Sequence, residues 1–155
     1  SPVVCRQHGL HVMTARPHNH TGPGQQPPFS VPSFARQVRA IARGEAPAEL
    51  RTGNLESLRD FTDVRDVVRA YRLLLERGPA GHAFNIASGQ LVAAGAILRQ
   101  LCHLAGIAPR LVSDPDLYRP TDRSMLVGTA RIRQTVGWEP RIELATTLRD
   151  LMDAL

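Results

Sequence analysis

The chain has 155 residues, 43% of them hydrophobic and 21% charged, which is enough for one globular core. Its formal net charge is +5, but all 19 basic residues are arginines spread without a dense basic run, so we expect no nucleic-acid partner. No apolar stretch is long enough for a membrane span and the first residues lack signal-peptide order, so we expect no membrane partner and a cytoplasmic location.

The first segments predict a strand followed by a ligand-facing loop. We expect residues 1–9 to be the end of a helix and residues 10–16, which partly alternate, to be a strand. The polar loop of residues 17–24 follows. Because such loops in α/β sheets lie at the carboxyl ends of strands, where ligands bind, Asn19 and His20 are candidate ligand contacts.

A helix is predicted next, beginning near Pro32 and ending before Gly44. Its apolar face consists of Phe34, Ala35, Val38, Ile41 and Ala42. After a connector, residues 50–53 are predicted to form a short strand.

Residues 53–71 join a charged loop to an amphipathic helix that runs from Val64 to Arg77. Asp63 stands at the N-cap position, and Asp66 three residues later supports this assignment. Arg59 has no evident local structural role, so it is the first candidate to face a ligand, with a solvated arginine as the alternative. The apolar positions expected on the buried face recur every three or four residues: Val64, Val67, Val68, Tyr71, Leu74 and Leu75.

The second half of the chain indicates further alternation of strands and helices. Residues 82–87 and 110–113 are predicted strands, and a helix between them ends at Gly106. Residues 114–122 are expected to be an exposed loop. Thr129 is expected to cap a short helix that ends at Gly137, and the leucines from Leu144 onward predict a last amphipathic helix.

Several kinds of site are not favoured. Cys5 and Cys102 show no metal-ligand spacing and are expected to be reduced thiols, and the histidines near the start do not have the spacing of a metal site, so we expect no metal. The sequence contains neither a Gly-x-Ser-x-Gly elbow nor a Gly-x-Gly-x-x-Gly fingerprint.

Two arginines on separate loops suggest anion binding. Arg59 and Arg119 could each offer a planar pair of donors to one pyrophosphate. Asp122, close to Arg119, could accept hydrogen bonds from the hydroxyls of a ribose.

Six ordered motifs give these features a common interpretation. They are residues 15–25 (ARPHNHTGPGQ), 31–37 (VPSFARQ), 53–56 (GNLE), 59–68 (RDFTDVRDVV), 119–122 (RPTD) and 137–140 (GWEP). In order and spacing they resemble the carboxyl-terminal half of the extended short-chain dehydrogenases that act on GDP-sugars. The residues of the second and fourth motifs are more similar to those of the GDP-4-keto-6-deoxy-mannose reductases than to those of the GDP-mannose 4,6-dehydratases.

The resemblance implies an α/β fold: the last strands of a Rossmann-like parallel sheet plus a small mixed α/β substrate-binding subdomain. Residues 1–155 would be the carboxyl-terminal, substrate-binding part, without the amino-terminal half that binds NADP or NAD. We therefore expect that the chain alone does not bind the cofactor. The family also implies a homodimer and a GDP-sugar ligand.

The resemblance assigns roles residue by residue. Three residues are implied to line the sugar-nucleotide pocket: Asn19, Val31 and Leu55. Arg59 and Arg119 are implied to contact the pyrophosphate, and Asp122 is implied to contact the ribose. His20 is implied to lie near the nicotinamide of the cofactor. No catalytic residue is implied, because the family uses a Tyr-x-x-x-Lys pair and this sequence has no lysine. We expect a chain that is silent in catalysis. The alternatives are a fragment of a GDP-mannose 4,6-dehydratase or of another sugar-nucleotide epimerase or dehydratase, or a non-catalytic nucleotide-binding or interaction module.

Overall fold

Helices and short strands alternate along residues 9–118 and 125–155, the part of the chain that the computed structural model describes. The strands are β1 (Thr14–Pro17), β2 (His20–Thr21), β3 (Glu49–Thr52), β4 (Leu58–Asp60), β5 (Thr62–Asp63), β6 (Ala83–Ile86), β7 (Leu91–Ala93) and β8 (Arg110–Ser113). The helices are α1 (Ser30–Ala42), α2 (Val64–Arg77), α3 (Ala94–Ala105), α4 (Ala130–Val136) and α5 (Leu144–Asp153), with a 3-10 turn at Pro115–Leu117.

The strands pair two by two, and three of the four described pairs are parallel. β1 lies beside β6, β2 beside β5 and β3 beside β8, whereas β4 and β7 are antiparallel. Parallel neighbours need a long connection, usually one that contains a helix, and helices do lie between the paired strands: α1 between β2 and β5, and α3 between β3 and β8. The predicted α/β class with parallel strands is confirmed.

The helices and strands pack around two apolar cores. The larger core packs α1, β3, α3 and α5 around Leu50 and Leu101. The smaller core lies between α2, β6 and α4, and its largest buried side chain is Trp138. Both cores use side chains that recur at helical spacing, which is why the sequence predicts their helices well.

A buried polar network joins the two cores at the start of α2. The Asp63 carboxylate caps the helix by accepting the Arg65 amide at 2.8 Å, as predicted, and it also accepts the Thr147 hydroxyl of α5 at 2.7 Å. The Arg65 guanidinium then bridges Asp63 and Asp150, at 2.8 and 2.7 Å. The N-cap is therefore also the connection between α2 and α5.

Asp66 differs from its predicted capping role. Its buried carboxylate accepts the backbone amides of Arg141 and Ile142 at 2.8 and 2.9 Å, and it forms an ion pair with Arg69. Asp66 thus anchors the segment before α5 to the first turn of α2. Thr129 likewise occupies the N-cap position of α4 without a side-chain capping bond.

The predicted buried face of α2 is partly wrong. Val67 and Leu74 are buried as expected, but Val68, Tyr71 and Leu75 are 58%, 37% and 75% exposed. Periodicity identifies the apolar arc of a helix, whereas the elements that pack on it decide which part of the arc is buried. In the described residues, β6 and α4 cover only one side of that arc.

The predicted strands also need correction. The first strand begins at Thr14 and includes Pro17, rather than covering residues 10–16. The charged loop before α2 contains β4 and β5, and β7 lies between the turn at Gly89 and α3; these short strands lack an alternating apolar pattern. The segment after β8 is not wholly exposed, because Asp114 is buried.

None of the described helices is long and apolar enough to span a membrane.

Candidate functional site

A groove with two lobes runs along the start of α1. The first lobe has a volume of about 420 Å³ and lies between α1 and the segment that joins β1 to β2. The second lobe, of about 300 Å³, lies between α1 and the loop that follows β3. Both lobes are lined by Ser30, Val31, Arg59 and Phe61. These shared side chains make the two lobes parts of one groove.

The first lobe is formed by the loop that the sequence indicated. Asn19 and His20 line it, together with His18. The Asn19 carbonyl accepts the amide of Thr62 at 3.0 Å and the His18 amide donates to Ile86 at 2.9 Å, so the backbone of the loop is held on both sides. Short loops fixed at strand ends are suitable positions for ligand contacts.

His20 presents an exposed imidazole to the first lobe. Its Nδ1 lies 3.0 Å from the His18 carbonyl oxygen, the geometry of a ring N–H that donates to that carbonyl. With Nδ1 protonated, the Nε2 of a neutral ring is an acceptor. His20 can therefore orient a donor group of a bound molecule.

The second lobe contains polar residues to which sequence reasoning assigned no role. Gln37 on α1 pairs with the backbone of Arg51, accepting its amide at 3.0 Å and donating to its carbonyl at 3.3 Å. The Arg51 guanidinium lines the lobe and forms an ion pair with Asp114 at 2.9 Å. Gln37 lies inside a recognised motif, but only the tertiary contact reveals that it fixes the strand beside the lobe.

Arg59 lies on β4 and lines both lobes. Its Nη1 donates to the carbonyl of Leu58 at 3.0 Å, one of the contacts that orient the guanidinium. Arg59 is thus beside Val31, which is 2% exposed, where a ligand that occupied both lobes would pass. A planar guanidinium at such a position is suited to a diphosphate.

The structure brings four of the predicted site residues to this groove: Asn19, His20, Val31 and Arg59. Leu55 packs against the larger core, and its carbonyl accepts the amide of Gly95 at 2.8 Å, next to Asn54, which does line the second lobe. Arg119 and Asp122 lie outside the described residues. Their roles, and that of Leu55, stay predictions.

Asp63 lies on β5, just after the groove residues Arg59 and Phe61. Its role is structural rather than one in proton transfer. Burial opposes ionisation of its carboxyl, but the hydrogen bonds from the Arg65 side chain, Thr147 and the Arg65 amide outweigh burial, so the pKa of Asp63 lies below its ordinary value. A carboxylate held in this way stays ionised at neutral pH. Among the residues that the structure describes, no group of three histidine, cysteine or acidic side chains is arranged to hold a metal.

The structure is thus an α/β fold with parallel strands and a groove beside the segment that joins β1 to β2. The family model described as "GDP-mannose 4,6 dehydratase" matches residues 3–151, and the chain belongs to this family of extended short-chain dehydrogenases. The resemblance found in the sequence is confirmed.

Individual relatives agree with this assignment. The GDP-6-deoxy-D-mannose reductase of Pseudomonas aeruginosa is 36% identical over 154 residues, which are 96% of this chain and 51% of the reductase. A solved structure of RMD from Pseudomonas aeruginosa complexed with NADPH superposes with a TM-score of 0.93 at 33% identity, covering 99% of this chain and 51% of that one. The GDP-mannose 4,6 dehydratase 2 of Caenorhabditis elegans is 30% identical over 86% of this chain and 40% of its own length.

The chain therefore spans about half the length of the curated reductase that it matches. Members of the family act on sugar nucleotides, and the solved Pseudomonas aeruginosa structure is a complex with NADPH. The particular sugar, the homodimer and the cytoplasmic location stay predictions.

Proposed function

We propose that this chain forms the sugar-nucleotide-binding part of an NAD(P)H-dependent reductase that acts on GDP-4-keto-6-deoxy-mannose and makes a GDP-deoxysugar. The observation that carries the proposal is the position of Arg59 on the wall common to both lobes. A nucleoside diphosphate sugar has two uncharged ends joined by a diphosphate. A two-lobed groove with a guanidinium between the lobes matches that order of groups.

The lining of each lobe supports an orientation for the ligand. The second lobe has apolar walls from Phe34 and Ile97 and polar groups from Asn54 and Ser57, which suits a flat base with donors and acceptors at its edge. The first lobe, with Asn19 and His20, suits the hydroxyl-rich sugar. The diphosphate would then lie against Arg59.

Hydride transfer needs groups beyond those present in these 155 residues. A reduced nicotinamide, when bound, supplies the hydride, and His20 beside the first lobe fits a place near that ring. The sequence contains no glycine fingerprint for the pyrophosphate of a dinucleotide and no lysine for a Tyr-x-x-x-Lys pair. The contribution of this chain is therefore to bind and orient the sugar nucleotide.

Titration calorimetry of the 155-residue chain with GDP and GDP-mannose tests this function. We expect binding of GDP, with weaker binding of UDP and dTDP, and loss of binding in Arg59→Ala because the diphosphate loses its guanidinium. Arg72→Ala is the matched control: Arg72 is exposed on α2 and pairs with Glu76, away from the groove, so binding should be retained. If wild-type chain binds no guanine nucleotide, or if both variants lose binding equally, the proposal is wrong.

A second assay tests whether the chain binds the sugar nucleotide without reducing it. The chain mixed with NADPH and a GDP-4-keto-sugar should leave the NADPH absorbance unchanged. Measured oxidation of NADPH with reduction of the sugar would contradict the assignment of a binding role alone.

A further inference from the structure

We propose that Asp60 is a positioning residue that holds Arg59 in the groove. The proposal rests on the proposed function, because it assigns to Arg59 the contact with the diphosphate. It concerns a residue that lines neither lobe and whose carboxylate lies on the other side of the strand.

Asp60 is buried, at 1% exposure, and both oxygens of its carboxylate accept hydrogen bonds. Its Oδ1 accepts the amide of Ser88 at 2.8 Å and the Ser88 hydroxyl at 2.7 Å, and its Oδ2 accepts the amide of Gly89 at 2.7 Å. Three short hydrogen bonds from two consecutive residues fix both oxygens of the group. Asp60 thus fastens β4 to the turn between β6 and β7.

The turn that binds Asp60 also has contacts of its own. Gly89 has a φ of 80°, a left-handed conformation that glycine adopts without strain. The Ser88 hydroxyl also accepts the Gln90 amide at 3.2 Å. The two amides of the turn therefore point at one place, where Asp60 lies.

Strand geometry connects this clamp to the groove. Successive side chains of a strand project to opposite faces, so the side chain of Asp60 faces the turn while that of Arg59 faces the lobes. β4 has three residues and pairs with β7, Arg59 opposite Val92 and Asp60 opposite Leu91. The hydrogen bonds of Asp60 therefore attach this short strand to a second segment, the turn at Ser88, in addition to β7.

The consequence for binding is preorganisation. An arginine loses considerable rotamer freedom when it contacts a ligand, and a fixed backbone reduces the freedom that remains to be lost. Because both oxygens of Asp60 are directed away from the groove, the residue acts through Arg59 and does not touch the ligand.

Asp60→Asn tests the proposal, because it keeps the shape of the side chain but places an NH₂ group against an amide donor of the turn. We expect the affinity for GDP to fall on the order of tenfold. We also expect the ¹H–¹⁵N NOE of the Arg59 Nε group, assigned by its loss in Arg59→Ala, to decrease as the side chain becomes mobile. Ser88→Ala removes one donor and keeps both amides, so it should give a smaller effect in the same direction.

Asp66→Asn is the matched control. Asp66 is an equally buried carboxylate that accepts two backbone amides, of Arg141 and Ile142, away from the two lobes. Asp66→Asn should lower the melting temperature by about as much as Asp60→Asn does, but it should leave the affinity for GDP and the Arg59 NOE unchanged. Equal loss of affinity in both variants, or an unchanged Arg59 NOE in Asp60→Asn and Ser88→Ala, would overturn the proposal. If wild type fails to bind GDP, the proposed function fails, and the NOE alone decides whether Asp60 positions Arg59.

Discussion

Gly53 lies so close to the backbone of Leu117 that a Cβ atom at position 53 would be 2.1 Å from the Leu117 carbonyl oxygen. Both residues line the second lobe of the groove. The contact brings the turn after β8 against the loop after β3, so only a residue without a side chain at position 53 permits this form of the lobe.

Gly53→Ala should therefore destabilise the protein and open the second lobe. The methyl group meets backbone rather than a flexible side chain, and such overpacking costs about 1–3 kcal/mol. We expect urea unfolding to show this loss, and the amide of Asp114, which donates to Thr52 at 2.9 Å, to exchange faster with solvent.

Gly128→Ala provides the comparison for that variant. A Cβ at position 128 would meet no atom of the described residues within 4 Å, and the φ of Gly128 is not in the left-handed region. The free energy of unfolding should change by less than about 0.5 kcal/mol. Equal effects of the two substitutions would show that the contact of Gly53 with Leu117 does not shape the lobe.

Acid should weaken the network at the start of α2. The pKa of Asp63 is lower in the folded chain than its ordinary value of 3.8, so the ionised carboxylate contributes stability above the unfolded pKa, and this contribution is lost as the pH falls through the lower folded pKa. At pH 7 the free energy of unfolding of wild type should exceed that of Asp63→Asn by about 1–3 kcal/mol, because Asn places an NH₂ group where Oδ2 accepts the Arg65 Nη2 and the Thr147 hydroxyl. The difference should shrink below about pH 4.

Urea titrations of both proteins at pH 7, 5 and 3 measure this difference. Glu76→Gln is the control, since Glu76 also pairs with an arginine but lies exposed on α2, where ion pairs contribute little. A difference between wild type and Asp63→Asn that stays constant from pH 7 to pH 3 would contradict the assignment.

The sequence was informative where one local pattern determines the structure. The presence and approximate positions of α1, α2, α3 and α5 follow from apolar periodicity, and the capping role of Asp63 follows from its place before such a helix. Asn19, His20 and Arg59 were identified as candidates because polar residues at strand ends or without a local role are suited to ligand contact. The structure places all three on one groove.

What the sequence could not show depends on contacts between distant segments. β4 and β7 are three residues each, too short for a periodic signal, and they form through their mutual pairing. The role of Asp60 requires the turn at Ser88, 28 residues away, and that of Gln37 requires Arg51, 14 residues away. The exposure of Leu75 likewise follows from which elements pack on α2.

Cys102 should react slowly with alkylating reagents in the folded chain. It is a free, partly buried thiol, and burial raises its pKa, so less thiolate is present at a given pH. At pH 8 we expect iodoacetamide to modify the peptide that contains Cys102 several-fold more slowly in buffer than in concentrated urea, as followed by mass spectrometry. Equal rates in the two conditions would show that the thiol is not protected by the larger core.

Trp138 connects the smaller core to Asp66, and its replacement should be costly. The indole is 1% exposed, its Nε1 donates to the Asp66 carbonyl at 2.9 Å, and the Arg69 guanidinium lies 5.9 Å from the ring centroid. Trp138→Phe leaves a cavity and a buried carbonyl without its donor, so we expect a loss of about 2–3 kcal/mol in the free energy of unfolding.

Circular dichroism in urea measures this loss, because the variant removes the only tryptophan and with it the fluorescence signal. Phe29→Leu serves as the control: Phe29 is an aromatic residue that is 62% exposed, and its replacement should change stability by less than about 0.5 kcal/mol. If the Trp138→Phe protein is as stable as the control, the hydrogen bond to Asp66 and the packing of the indole in the smaller core contribute little to the free energy of unfolding. In that case the segment before α5 would be held by its other polar contacts: the carboxylate of Asp66, which accepts the amides of Arg141 and Ile142, and the Arg69 guanidinium, which donates to the Glu139 carbonyl.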